Sequence, residues 1–211
     1  MSIKKCVVLF SGAGSNLDNL LNQQGKLNNK LKYVSAFTDN SDAGGISICR
    51  KYNLPITIAQ RENINKELEN FIVNINPDLI ILSGYMKIIP ADIVEKNIGK
   101  IINLHPSLLP KYPGLNTYDK VIANKDKSHG ATVHFVTKDL DQGPIILQGK
   151  FSVNERMTRK DLEDYTHKAE FIIFPIVVEW FATNKLEYHD DYIVLENEAI
   201  LSPITYMINP K

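Results

Sequence analysis

Two short runs of apolar residues constrain the fold of this chain more than any other feature. Residues 6–10 and 79–82 contain no strongly polar side chain, and each run ends in a polar turn that contains glycine. Strands covered on both faces, as in a parallel sheet, carry such continuous runs. Between them, Leu68, Phe71 and Ile72 have helical spacing. The pattern predicts an α/β fold with a doubly wound, mostly parallel twisted sheet and helices on both faces.

The turn after the first run has the composition of a phosphate site. Residues 11–16 read Ser-Gly-Ala-Gly-Ser-Asn, and a helical apolar pattern begins at Leu17. A turn of this kind directs free backbone N–H groups and the positive end of a helix dipole towards a ligand. The dinucleotide fingerprint would need a glycine in place of Leu17, which argues against a nicotinamide cofactor. A purely structural alternative is that Ser15 or Asn16 caps the helix.

Three loops follow predicted strands and should share one edge of the sheet, where ligands bind in such folds. They are residues 12–16, 84–89 and 103–107. The third loop begins with Asn103 and His105, whose side chains project to the same face if the strand is regular there. An amide and an imidazole side by side are suitable donors to an oxyanion. A single histidine more often has a structural role. The oxyanion interpretation therefore depends on the position of His105 beside Asn103 at the end of a strand.

A second polar loop, residues 137–144, supplies carboxylates. Asp139 has the character of a solvated turn residue, whereas the Gln-Gly-Pro that follows Asp141 restricts the backbone conformation there. A carboxylate against His105 would raise the pKa of the imidazole and favour its cationic form. Asp141 could also accept, through water, a proton lost by an attacking amine.

Two other kinds of chemistry are disfavoured by the same residues. The spacings of His105, His129 and His134 match no common zinc-ligand pair, and no cysteine joins them, so we expect no metal. The chain has no Gly-x-Ser-x-Gly sequence, which argues against Ser107 as a hydrolase nucleophile.

Composition excludes some partners and suggests a compartment. Lysine plus arginine equals aspartate plus glutamate at 24 each, so no net charge attracts nucleic acid or an anionic membrane. Cys6 and Cys49 lie in apolar contexts, as expected for buried thiols in a reducing compartment. The apolar stretch at the N-terminus is too short for a signal peptide or a membrane span, so we expect a cytoplasmic protein.

The C-terminal part predicts one long helix and a hairpin. The helix begins near Lys160 and should pack on the sheet through an apolar stripe, with a kink at Pro175. The predicted stripe consists of Leu162, Tyr165, Ala169, Ile172, Ile173, Ile176 and Trp180. Residues 192–195 and 199–201 suggest the two strands of a terminal hairpin.

The motifs together resemble those of the folate-dependent formyltransferases. The resemblance rests first on residues 103–110, Asn-Leu-His-Pro-Ser-Leu-Leu-Pro, and on residues 139–144, Asp-Leu-Asp-Gln-Gly-Pro. Residues 11–16, 111–114 and 129–137 also fit, and the resemblance covers essentially the whole chain.

Within this family the chain is most similar to the bacterial branch that formylates glycinamide ribonucleotide in purine synthesis. The enzymes that formylate methionyl-tRNA or hydrolyse formyl-folate share the same Asn/His/Asp set. The first carries a further C-terminal domain, for which we expect 211 residues to leave no room, and the second carries an N-terminal domain, whereas the first catalytic strand is expected to begin here at Cys6. The resemblance implies a single formyltransferase domain over residues 1–211. Its nucleotide-binding and phosphate-binding half is residues 1–100, and its catalytic and folate-binding half is residues 101–211.

The resemblance also implies the ligands and their residues. The co-substrate would be 10-formyltetrahydrofolate and the acceptor glycinamide ribonucleotide, with no metal, nucleic acid or membrane, in a monomer or homodimer. The catalytic residues would be Asn103, His105 and Asp141. The ribonucleotide-binding residues would be Gly14, Ser15, Asn16, His167 and Glu170. The folate-binding residues would be Arg61, Met86, Lys87, Ile88, Ile89, Asn103, Thr137, Lys138, Asp139, Leu140 and Asp141.

Some of these assignments have alternatives or depart from the family pattern. The family often has arginine at the position of Lys87 and histidines at those of Asn116 and Tyr118. Lysine lacks the planar fork of arginine, so we expect different folate contacts there. From the residues alone, Arg61 and Glu170 are better explained as solvated surface side chains, and residues 86–89 are equally explained as ordinary core.

Overall fold

A computed structural model describes residues 2–209 of the chain. The strands are β1 Lys4–Phe10, β2 Leu31–Thr38, β3 Ile56–Ile58, β4 Leu79–Leu82, β5 Ile101–His105, β6 Ser128–Phe135, β7 Ile145–Ser152, β8 Leu186–Tyr188, β9 Ile193–Leu195, β10 Glu198–Ile200 and β11 Ile204–Met207. The α-helices are α1 Ser15–Asn22, α2 Gly45–Lys51, α3 Ile64–Ile75, α4 Ala91–Lys96, α5 Thr117–Ala123 and α6 Arg159–Ala182. The predicted α/β class, with a mostly parallel sheet, is confirmed.

The chain forms two compact units, of which the first ends at Asn103 and the second begins at Leu104. In the first unit the strands are parallel and lie in the order β5-β4-β1-β2-β3. The inner part of β1, residues 6–10, is fully buried because β1 pairs on both sides. This position explains its uninterrupted apolar sequence. The single-domain organisation stays a prediction.

The second unit contains the antiparallel pair β6–β7, the antiparallel strands β8, β9 and β10, and the long helix α6. Strand β7 pairs antiparallel with β6 and parallel with β11, and α6 packs against β6 and β7. The close approach requires Gly149, since a Cβ there would lie 2.9 Å from the Ala169 Cβ. The predicted hairpin is confirmed as β9 and β10, and the sequence did not predict that β8 pairs with β9 as well.

The predicted apolar stripe of α6 is partly wrong. Ile172 is exposed, whereas Thr166 and Glu170 are buried on the face that packs inward. The buried residues of α6 are Leu162, Thr166, Ala169, Glu170, Ile173, Phe174, Val177, Val178 and Ala182. The helix is apolar on several faces, so tertiary packing rather than hydropathy decides which face is covered. Pro175 lies within the helix, and a kink there stays a prediction.

Two further observations concern the residues that the structure describes. None of the helices over residues 2–209 combines the length and apolar character needed to cross a membrane. Cys6 and Cys49 are both buried free thiols, as predicted.

Candidate active site

His105 is the buried last residue of β5, and its imidazole is held from two sides. Its Nε2–H donates to the carbonyl oxygen of Tyr112 at 2.9 Å. A carbonyl can only accept, so Nε2 carries a proton and Nδ1 is the nitrogen that titrates. Nδ1 lies 3.4 Å from Oδ2 of Asp141. The structure therefore brings together two of the three predicted catalytic residues.

Asp141 stands in the left-handed region, with φ of 55°, in the loop between β6 and β7. Its Oδ2 accepts the Gly114 N–H at 2.8 Å, and its Oδ1 lies 3.6 Å from Nε2 of His134. Burial acts to raise the pKa of Asp141, but His134, the Gly114 N–H and the charge of His105 outweigh it and lower the pKa to about 2. Asp141 is therefore a carboxylate at neutral pH.

The pKa of His105 is lowered overall by burial, which contradicts the expected cationic imidazole, although Asp141 does act to raise the pKa as expected. Burial is the largest influence and disfavours the imidazolium, while the Tyr112 carbonyl and the Asp141 carboxylate oppose it. The expectation from sequence considered the carboxylate but could not include the loss of solvent around the ring. His105 is consequently neutral at rest at pH 7, with a carboxylate placed to stabilise its protonated form.

The three shifted histidines of the second unit should titrate in a defined order. Burial lowers the pKa of His129 to about 4 and lowers that of His105 from 6.5, whereas the hydrogen bond that His167 donates to Glu170 raises the pKa of His167. We expect ¹⁵N NMR titration to give a midpoint of about 4 for His129, one below 6.5 for His105 and one above 6.5 for His167. A His105 midpoint above that of His167 would contradict the account.

The loop that carries the Tyr112 carbonyl is fixed by buried polar side chains of β6 and β7. The Thr132 hydroxyl donates to the Ser107 carbonyl at 2.6 Å and accepts the Leu109 N–H at 3.1 Å. Gln148 Nε2 donates to the Leu109 carbonyl at 2.8 Å and to the Thr132 hydroxyl at 3.0 Å. Thr132 thus connects the strands to the loop that positions His105.

Replacing Thr132 with valine should loosen this loop. The change keeps the shape but leaves the Leu109 N–H and the Ser107 carbonyl without the hydroxyl. We expect a loss of about 1–3 kcal/mol in the free energy of unfolding, measured in urea. Thr132→Ser, which restores the hydroxyl, should recover most of it. Equal stability of the valine variant and the unsubstituted protein would show that the network does not hold the loop.

Asn103 precedes His105 by two residues on β5 and is half-buried. It pairs in register with Leu82 of β4. Strand β5 is regular through His105. The side chains of Asn103 and His105 were predicted to project to the same face on the condition that the strand is regular there, and this condition is met. The catalytic role of Asn103 stays a prediction.

The predicted phosphate turn lies at the start of α1 in the first unit. Gly14 is the N-cap, with φ of 81°, and no side-chain hydrogen bond caps the helix, so the capping alternative for Ser15 or Asn16 is wrong. A Cβ at Gly14 would lie 2.5 Å from the Gly45 Cα, so glycine is required at this turn. Ser15 is exposed and Gly14 half-exposed, as an approaching anion requires.

The remaining predicted ligand-binding residues lie on loops and on α6. Met86 and Ile88 are 68% and 77% exposed, Lys87 and Arg61 are also exposed, and Ile89 is buried. In the second unit, Lys138, Asp139 and Leu140 are exposed and Thr137 is half-buried. Asp139 therefore has the solvated setting expected of it.

Glu170 is buried at 5% exposure, so the alternative of a solvated glutamate is wrong. Its Oε2 accepts a hydrogen bond from His167 Nδ1 at 2.9 Å, and His167 is half-exposed at its side chain. This hydrogen bond to Glu170 is the main reason that the pKa of His167 is raised. A carboxylate paired with an accessible histidine can form hydrogen bonds with hydroxyl groups of a ligand.

Sequence reasoning missed His134. It lies on β6, is buried, and its Nδ1 donates to the Phe135 carbonyl at 2.8 Å while Nε2 faces Asp141. No local motif connects it to Asp141, because the two residues come together only when β6 and its following loop fold. Within residues 2–209, no group of three or more His, Cys, Asp or Glu side chains is arranged to bind a metal ion.

Comparisons with known proteins agree with this geometry. The family model described as formyl transferase matches residues 4–178. The phosphoribosylglycinamide formyltransferase of Haemophilus influenzae is 35% identical to this chain, and the match covers 94% of this chain and 96% of the relative. That of Escherichia coli is also 35% identical, and the match covers 92% of this chain and 94% of the relative. A solved phosphoribosylglycinamide formyltransferase from Coxiella burnetii is 33% identical with a TM-score of 0.89, covering 97% of this chain and 100% of that one. The chain therefore belongs to the formyltransferase family.

Proposed function

We propose that this protein transfers the formyl group of 10-formyltetrahydrofolate to the amine of 5-phosphoribosylglycinamide, in the cytoplasm, as a step of purine synthesis. The products are formylglycinamide ribonucleotide and tetrahydrofolate. The observation that carries the proposal is the buried His105–Asp141 pair, in which His105 lies two residues after Asn103 on the same strand. Relatives bearing the name of this reaction, 35% identical over almost the whole chain, support the choice of substrates.

The first step is attack of the amine on the formyl carbon, which forms a carbon–nitrogen bond and converts the formyl oxygen to an oxyanion. The Asn103 amide donates a hydrogen bond to that oxyanion. Such a donor acts where charge develops and needs no reorganisation during the reaction. No covalent bond to the protein is required.

His105 moves the proton in this account. Its neutral Nδ1 accepts the proton that the attacking amine loses, and the imidazolium so formed lies beside the Asp141 carboxylate. The proton then passes to the folate nitrogen as the bond between that nitrogen and the formyl carbon breaks. Asp141 stays ionised throughout, because its pKa is held at about 2.

The binding roles are those expected of the predicted residues. The backbone N–H groups at Gly14, Ser15 and Asn16 hold the phosphate at the start of α1. Glu170 and His167 hold the ribose hydroxyls or the glycinamide end. The folate lies against residues 86–89 and 137–141, with Arg61 near its glutamate tail. The working form is a monomer or homodimer acting on small molecules.

Replacing Asn103 with alanine should lower kcat by about a hundredfold, because one oxyanion donor is lost. The effect should fall on kcat more than on KM, since the charge exists only in the transition state. Steady-state kinetics on protein with an unchanged circular dichroism spectrum would measure this. Near-normal turnover would remove Asn103 from the mechanism.

The nearest rival is hydrolysis of the same folate by the same residues, with water in place of the amine. The test is incubation with 10-formyltetrahydrofolate in the presence and absence of the ribonucleotide. Release of tetrahydrofolate that depends on the ribonucleotide supports transfer. Release at the same rate without it would replace the proposal by a hydrolase.

A further inference from the structure

The Ser11 hydroxyl joins two loops of the first unit. It donates to the carboxylate of Asp39 and accepts the backbone N–H of Met86 at 2.9 Å. A carboxylate only accepts hydrogen bonds, so Asp39 fixes the hydroxyl hydrogen on its own side. The oxygen lone pair of Ser11 is thereby directed towards Met86. Ser11 is itself buried, which shields the pair of bonds from water.

Backbone contacts place Ser11 at the base of the glycine turn. Its N–H donates to the Gly84 carbonyl at 3.1 Å, and its carbonyl accepts from Asn40 Nδ2 at 3.0 Å. The next residue, Gly12, accepts the Gly45 N–H at 3.1 Å. The turn, the loop after β2 and the loop after β4 are therefore connected through one serine.

The loop after β4 is also held near its two ends, where the Ser83 N–H donates to the Leu9 carbonyl, the Tyr85 ring lies edge-on to Phe37, and Ile89 is buried. The Tyr85 hydroxyl is buried, yet within residues 2–209 it has no hydrogen-bond partner. Met86 and Ile88 expose most of their side chains and so contribute little packing. The Met86 N–H bond to Ser11 is therefore a main polar restraint on the outer part of this loop.

We propose that Ser11 and Asp39 are positioning residues that couple binding at the glycine turn to binding at the Met86 loop. A ligand that orders one loop then reduces the entropy lost when the second ligand orders the other, and the effect is reciprocal. The identities of the two ligands, a ribonucleotide phosphate and a folate ring, rest on the proposed function. The hydrogen-bonded connection does not.

The connection can be tested without ligands by amide hydrogen exchange at Met86. Ser11→Ala removes the acceptor, so we expect exchange of the Met86 N–H to become about tenfold faster. Ser47→Ala is a matched control, because it also removes a serine hydroxyl that makes a hydrogen bond, here to the Gly44 carbonyl, but Ser47 is exposed on α2. Asp39→Asn, whose amide oxygen still accepts from Ser11, should preserve protection. Unchanged exchange in Ser11→Ala would overturn the connection.

The coupling itself is measured by calorimetry with glycinamide ribonucleotide and tetrahydrofolate, a pair that cannot react. In the unsubstituted protein we expect saturating tetrahydrofolate to tighten ribonucleotide binding at least about fivefold. In Ser11→Ala the ratio should fall below about twofold, while Ser47→Ala and Asp39→Asn retain it. Two outcomes overturn the coupling but leave the proposed function intact. One is retained coupling in Ser11→Ala, and the other is binding of both ligands to the unsubstituted protein without coupling. Binding of neither ligand overturns the proposed function and the coupling together.

Discussion

The His105→Ala variant is expected to lose about a thousandfold in kcat, the middle of the range for removal of a positioned proton-transfer group. The imidazole accepts the proton of the attacking amine at Nδ1 in the proposed mechanism, and Nδ1 lies beside the Asp141 carboxylate. KM values for both substrates should change less than about threefold, because the ring acts mainly after binding.

His189→Ala provides a matched control for that variant. His189 belongs to the same unit but stacks on Tyr192, with ring centroids 4.8 Å apart, and has no proposed role in the reaction. Its turnover should stay within about twofold of the unsubstituted protein. Both variants need urea unfolding curves, since His105 is buried. A folded His105→Ala protein with turnover reduced less than tenfold would rule out proton transfer through this histidine.

Asp141→Asn is expected to lower kcat by a similar amount, about a thousandfold. Asparagine keeps the volume, and its oxygen can still accept the Gly114 N–H, but the negative charge beside Nδ1 of His105 is lost. The imidazolium formed in the reaction then has no counter-charge. The pKa of His105 should also fall further, which NMR titration would detect. Unchanged turnover with a lowered histidine pKa would separate Asp141 from the chemistry.

The two residues should behave as one group. If Asp141 acts only by stabilising protonated His105, the double variant should be scarcely slower than His105→Ala alone. Asp119→Asn, which removes an exposed carboxylate paired with Arg159 on the surface, should leave turnover within about twofold. Independent, additive losses for His105 and Asp141 would mean that each carries a separate step.

Much of the fold could be predicted because buried parallel strands leave a distinct pattern. Strand β4 was predicted with its observed bounds, since all its residues are apolar and the flanking residues are polar. The short helices α4 and α5 were not predicted, because they bury only two residues each and give little periodicity. Strand β11 was also missed. Its side chains are largely exposed, and pairing with β7 rather than hydropathy defines it.

The candidate site was predictable where neighbouring residues carry the signal. Asn103 and His105 lie on one strand, and Asp141 follows from the glycine-proline turn beside it. The contact of His134 with Asp141, the burial of Glu170 and the downward pKa shift of His105 depend on packing between distant segments. Sequence spacing contains no measure of how much solvent a folded side chain loses.

The most direct test of the proposed function follows the formyl carbon itself. The protein is mixed with ¹³C-formyl-labelled 10-formyltetrahydrofolate and glycinamide ribonucleotide, and the products are separated and analysed by ¹³C NMR and mass spectrometry. We predict one labelled formylglycinamide ribonucleotide for each tetrahydrofolate formed, with no labelled formate above the level without protein. Label recovered as formate, with an unmodified ribonucleotide, would contradict formyl transfer.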